Sequence, residues 1–237
     1  MSIEATKSLK TGVWLDLATS DYAEMARVQN ILRQKRQQEV IPDVVILLEH
    51  SPCITIGSSG GYQNLLADTD VLDAYGITVH DTSRGGNITY HGPGQLVCYP
   101  IVSLEGERDL HAYARKMEEV MIRTLSSFGI VAERKPEFPG VWVQNAKIGA
   151  MGIAVRKWVT MHGIALNVCP DLTHFSLIVP CGIASNGVTS MEEVLGHSVD
   201  PNMVRIEMRK HFSRIFQMSF RSGKLEQFIE EDSIETT

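Results

Sequence analysis

Three strand-like segments follow one another between Gly140 and Val168 with almost nothing between them. Gly140 to Val143, Lys147 to Val155 and Trp158 to Val168 are separated by the turn Gln144-Asn145-Ala146 and by two residues at Arg156-Lys157. Connections this short fold a chain straight back on itself. Parallel neighbours would need a crossover of a dozen residues or more. This block therefore predicts an antiparallel sheet, and the remaining elements must pack around it.

Upstream, Thr11 to Leu17 alternates, with Val13, Leu15 and Leu17 on one side, and predicts a strand. Asp21 followed by Glu24 matches a capping box for a helix carrying Tyr22, Met25, Val28 and Leu32 as its apolar stripe. Asp43 to Leu48 and Cys53 to Ile56 are apolar runs predicting neighbouring strands across the Ser51-Pro52 break. Asp70 to Tyr75 predicts a short helix stopped by Gly76, and Ile77 to His80 and Val97 to Val102 predict strands. Asp109 caps the clearest helix, Leu110 to Phe128, which Gly129 ends. A last helix is predicted from Pro201 to about Met218, with Asp200 as its cap. Strands come in runs rather than in strict β-α alternation, so the expected fold is α+β. It is one domain with a mixed, mostly antiparallel sheet flanked by helices. No repeat or linker divides it; residues 1–218 form the expected domain, and 219–237 an acidic tail expected to be mobile.

The formal charge of −6 speaks against a general nucleic-acid binder. No run of roughly 18 apolar residues suggests a membrane span, and Met1 to Lys10 lacks the apolar core of a signal peptide. A cytoplasmic location is the expectation. The 4 cysteines, Cys53, Cys98, Cys169 and Cys181, show no C-x-x-C pairing, and the 8 histidines show no metal-ligand spacing. Phosphate-binding, dinucleotide and serine-hydrolase motifs are absent. No metal or cofactor is expected.

What remains is a set of loops suited to close backbone approach. Arg84-Gly-Gly-Asn-Ile-Thr-Tyr-His-Gly-Pro-Gly-Gln-Leu-Val is dense in glycine between strand-like runs. Val179-Pro-Cys-Gly-Ile sets a thiol between proline and glycine, where Cys53 and Cys98 sit inside apolar strands. From these residues alone Cys181 is either a nucleophile or a structural cysteine. A nucleophilic thiol has to be ionised by a nearby positive charge, a helix N-terminus or a base. Lys147, among small apolar neighbours, is either an ordinary hairpin-edge lysine or an inward functional charge.

The Arg84 block resembles the signature loop of lipoyl(octanoyl) transferases. So do Pro139-Gly-Val-Trp-Val, Lys147-Ile-Gly-Ala-Met-Gly, His162-Gly-Ile-Ala-Leu-Asn and Ile178-Val-Pro-Cys-Gly-Ile, in the family's order, and Leu48-Glu-His-Ser-Pro-Cys-Ile-Thr-Ile-Gly resembles its first strand pair. The resemblance covers roughly residues 43 to 196. It implies a biotin/lipoate-ligase-like fold and transfer of an octanoyl group from acyl carrier protein to a lysine of a lipoyl domain. The acceptors implied are lipoyl domains of 2-oxoacid dehydrogenases or the glycine cleavage H protein. Cys181 would carry the acyl group as a thioester and Lys147 would lower its pKa. Substrate-binding positions would be Arg84, Gly85, Gly86, Asn87, Ile88, Thr89, Tyr90 and His91, then Ala150, Met151 and Gly152, and Gly163, Ile164 and Ala165. Glycines would let backbone line the acyl slot, and N–H groups of these loops would hold the oxyanion. His91 and His162 would either assist or bond to backbone. Because lipoyl domains and carrier proteins are acidic, Arg84, Arg134, Lys135, Arg156 and Lys157 are candidates for a basic rim. Gly149-Ala150-Met151 and Cys98 depart from the family pattern. Competing readings are an ATP-dependent lipoate-protein ligase, a non-catalytic acyl or lipoyl-domain binding module, and a thiol hydrolase.

Overall fold

The computed structural model describes residues 10–179 and 187–229. The first strand, β1 (Lys10–Ser20), leads into α1 (Tyr22–Gln37), whose first turn is capped as the pattern predicts: Asp21 accepts from the Glu24 amide at 2.9 Å. Then come β2 (Asp43–His50), β3 (Cys53–Ile56), α2 (Thr69–Ala74), β4 (Thr78–Asp81), β5 (Ile88–His91) and β6 (Gln95–Ile101). The long helix α3 (Leu110–Ser126) precedes the hairpin series β7 (Glu133–Lys135), β8 (Phe138–Val143), β9 (Ala146–Arg156) and β10 (Val159–Asn167). The chain continues through β11 (Gly187–Val188), α4 (Met191–Leu195), α5 (Pro201–Phe216), β12 (Met218–Ser222) and α6 (Glu226–Ile229).

Among the described residues the large sheet runs β12-β1-β2-β6-β10-β9-β8-β7, with β11 beside β9. From β2 to β7 every step along it is antiparallel, and β12, β1 and β2 are parallel. The period-two geometry of a strand sends alternate side chains to opposite faces. Trp14, Val45, Leu47, Leu96 and Cys98 accordingly join α3 and α5 on one face. Val13, Leu15, Val44, Ile46, Leu48, Val97 and Tyr99 join α1 on the other. Coverage of both faces explains why β2 reads as unbroken apolar sequence rather than as alternation.

Two expectations are corrected. Cys53–Ile56 does not pair with β2; it is the middle strand of a second sheet, β4-β3-β5, which has its own apolar cluster with α2. The expected boundary at residue 218 falls inside packed structure. The last long helix stops at Phe216 because Gln217 turns left-handed, with φ +52°, and β12 then pairs in parallel with β1. Leu225 and Phe228 complete the α1 layer. Of the acidic tail, residues 230–237 lie outside the described residues.

Candidate active site

The Arg84 loop and β5 of the small sheet line one cavity together with β6, β9 and β10 of the large one. Arg84 was a candidate for a solvent rim; it is instead 8% exposed. Its Nε donates to Thr55 Oγ1 at 3.1 Å, and Nη2 donates to Thr55 Oγ1 at 2.9 Å and to the Thr55 carbonyl at 2.5 Å. The Gly85 amide donates to the Ile153 carbonyl at 3.0 Å, stitching the loop to β9. Such an approach requires missing side chains. A Cβ on Gly57 would run into the Gly86 carbonyl, and one on Gly152 would meet Arg84 Cδ at 2.9 Å. Both glycines let the loop pack closely, and Gly152 also lines the cavity described below.

Behind the loop runs a chain of polar contacts with a defined direction. Gln95 Nε2 donates to the Tyr90 carbonyl and to Asn167 Oδ1, at 3.3 and 2.8 Å. Its Oε1 therefore accepts, and His91 Nδ1, 2.6 Å away, must be the protonated nitrogen. His91 Nε2 is then an acceptor, 3.5 Å from the Thr55 hydroxyl. Asn167 Nδ2 donates to the Thr189 carbonyl at 2.9 Å, and the Thr189 amide donates to the Lys147 carbonyl at 3.0 Å. The chain thus spans from the Arg84 anchor to the strand bearing Lys147. Burial pushes His91 down to about 3, helped by His50, and pushes His162 down to about 4, helped by Arg84. Both rings are neutral near pH 7. Neither follows the backbone-bonded expectation: His91 bonds the Gln95 side chain, and His162 Nε2 lies 3.1 Å from Ser83 Oγ. His162 itself has φ +60°, and its amide donates to Gln29 Oε1 at 2.8 Å.

Lys147 sits at the start of β9, between β8 and β11. Its Nζ donates to the Pro139 carbonyl at 3.1 Å and lies 4.9 Å from the centre of the Trp142 ring. Lys147 thus stands beside the β8–β9 turn, paired on both sides, and lines a cavity. Cys181 lies outside the described residues. Burial pushes the Cys53 thiol up to about 12 and raises Cys98 further. Cys169 is also raised, by burial and then by Glu192.

The cavity measures about 590 Å³, within the range of small-molecule sites. Residues 84–89 and His91, residues 150–152 and residues 163–165 all line it together with Lys147. Tyr90 does not. Its ring packs inside the small sheet against Phe175, with its hydroxyl 2.8 Å from His174 Nδ1. Gln95 and Asn167 also line it, as do Tyr22 and Tyr99. The first two stand inside the sequence blocks already singled out, but their amides carried no signal until the strands were paired. The remaining rim candidates divide. Arg134 is engaged by Glu118 at 3.1 Å and Glu119 at 2.5 Å, and Lys135 donates to Asn145 at 3.0 Å. Arg156 and Lys157 are exposed at the β9–β10 turn. Among the described residues no cluster of three or more histidine, cysteine or acidic side chains could hold a metal, and no helix is long and apolar enough to cross a membrane.

Solved lipoate-protein ligases share this architecture. Lipoate-protein ligase A bound with ATP superposes with a TM-score of 0.73 at 19% identity, over 93% of each chain. A bipartite lipoate protein ligase of Thermoplasma acidophilum, studied with its E2 lipoyl domain, gives 0.73 at 20% identity over 94% of this chain and 91% of its own. At such identities the likeness is one of fold. Sequence takes the assignment further: the chain belongs to the lipoyl protein ligase A/B catalytic-domain family, whose model matches residues 21–213. Similar relatives include an octanoyltransferase of Clostridium kluyveri, 48% identical over 75% of this chain and 76% of its own. Another, from Solibacter usitatus, is 45% identical over 87% and 94%.

Proposed function

We infer that this protein is an acyltransferase that moves an octanoyl group from acyl carrier protein to a lysine of a lipoyl domain. What carries the reading is one cavity walled by the Arg84 loop, β9 and β10, with the Lys147 side chain among its lining residues. Relatives at 45–48% identity are named octanoyltransferases, and one solved structural neighbour is a ligase described with its lipoyl domain.

In this scheme the Cys181 thiolate attacks the carrier thioester. The carrier's sulfur leaves and takes a proton from the Lys147 ammonium, so a cysteine thioester and a neutral lysine remain. The acceptor's amine then attacks the thioester, the Cys181 thiolate leaves, and the surplus proton of the new amide passes to Lys147. The starting ion pair is restored and the sequence needs no ATP. The mapped positions 84–91, 150–152 and 163–165 would hold the acyl chain, with Tyr90 supporting the fold of the wall instead of touching the ligand. A cytoplasmic location suits both partners.

Intact-mass spectrometry after incubation with octanoyl carrier protein tests the scheme. An octanoyl adduct should form on the wild type without ATP, discharge when a lipoyl domain is added, and be missing in Cys181→Ser. Modification of the lipoyl domain that requires free acid and ATP would make the protein a ligase. Binding with neither adduct nor transfer would make it a carrier.

A further inference from the structure

We propose that Trp142 is a positioning residue that holds the Lys147 ammonium at the cavity wall. The Pro139-Gly-Val-Trp-Val block is one of the sequence's marked motifs, and the scheme above gives its tryptophan no task. Trp142 is 1% exposed, and its Nε1–H donates to the Phe138 carbonyl at 3.1 Å, so the ring plane is fixed. The β8–β9 register sets Trp142 opposite Lys147, with a bulge just before it between Val141 and Trp142. Lys147 Nζ then meets two groups at once: the Trp142 ring at 4.9 Å from its centre and the Pro139 carbonyl at 3.1 Å. An ammonium within about 6 Å of an indole face is attracted by the ring quadrupole, and a carbonyl accepts its proton. A flexible four-carbon side chain is thereby confined to one place.

The platform is itself anchored. Gly140, with φ +114°, donates its amide to Glu118 Oε1 at 3.1 Å, and Glu118 is 4% exposed and paired with Arg134 and Arg115 at 3.1 and 3.3 Å. Lys135 Nζ lies 4.8 Å from the centre of the Trp142 ring, and Glu137 lines the cavity at the β7–β8 turn. Two ammonium groups share one indole, so weakening the ring's attraction loosens the hold on Lys147.

The proposal rests on the reading of Lys147 as the group that ionises the site thiol. The test uses the full chain with tryptophan at position 142 replaced by analogues of increasing fluorination, which drain the ring's negative face while keeping its shape. Turnover with octanoyl carrier protein and a lipoyl domain should fall stepwise, by roughly 3- to 30-fold across the series. KM for the donor should stay within about twofold, as expected for an interaction with no direct substrate contact. The pH midpoint for iodoacetamide inactivation should move upward in parallel. Trp142→Phe should retain part of the activity that Trp142→Leu loses. A flat turnover and a fixed midpoint across the fluorinated series, while Lys147→Ala is inactive, overturns the positioning role alone. If Lys147→Ala transfers normally, the reading of Lys147 fails, and the role of Trp142 fails with it.

Discussion

Thr55→Val isolates the contact that seats the Arg84 loop. Valine keeps the shape and the carbonyl of residue 55 but removes the oxygen to which Arg84 Nε and Nη2 donate at 3.1 and 2.9 Å. Thr55 is fully buried and Arg84 nearly so, so water cannot readily replace that acceptor. Hydrogen bonds to charged groups contribute about 1.5–3 kcal/mol. Nη2 retains the carbonyl at 2.5 Å, so the loss should sit near the middle, about 2 kcal/mol. For a chain of this length that corresponds to a fall in Tm of about 4–8 °C. Urea unfolding gives the free energy directly, and steady-state transfer should show a higher KM for the donor as the loop loosens. A loss under about 0.5 kcal/mol with unchanged KM would show that Thr55 does not hold Arg84.

Gly57→Ala should unseat the same loop by steric means, costing about 1–3 kcal/mol, because its Cβ meets the Gly86 carbonyl and Arg84 Nη1; a variant as stable and active as wild type refutes this. His91 and His162 titrate lower in the native protein, at about 3 and 4, than in the unfolded chain. Unfolding therefore takes up protons as pH falls below about 6.5, and stability that is complete above that value is lost progressively towards pH 4. Each ring should remove about 1.4 kcal/mol per pH unit across that window; urea titrations should find a shallower slope for His162→Gln, and an unchanged slope refutes the assignment. Native-state alkylation at pH 8 followed by peptide mapping should leave Cys53 and Cys98 unlabelled, as burial raises both thiols; labelling of either contradicts their seclusion. Charge reversal at Arg156 and Lys157 should raise the donor's KM at low salt and have little effect at high salt, and identical kinetics at both would remove them from any docking rim.

The local elements were legible because their signals are local. The cap of α1 at Asp21, the stripe of α3 and the turn at residues 144–146 each depend on neighbours within one helical turn or one hairpin. The strand Cys53–Ile56 was legible as a strand but not as a member of a second sheet, since its partners lie at residues 78–81 and 88–91. The end of α5 falls two residues before the predicted one, because Gln217 takes a left-handed conformation usually signalled by glycine and Met218 continues the apolar pattern into β12.

The order of glycine-rich and strand-like blocks in the sequence determined the α+β class and the location of the Arg84 loop, and the resemblance to lipoyl(octanoyl) transferases singled out the three segments that meet at the cavity. Only the tertiary structure decided that Arg84 turns inward to Thr55, that Tyr90 turns away from the cavity, and that Gln95 and Asn167 link His91 to the strand of Lys147. The cause is physical. A backbone propensity is set by a few adjacent residues, whereas a buried charge or amide is oriented by whichever donor or acceptor the paired strands bring within about 3 Å.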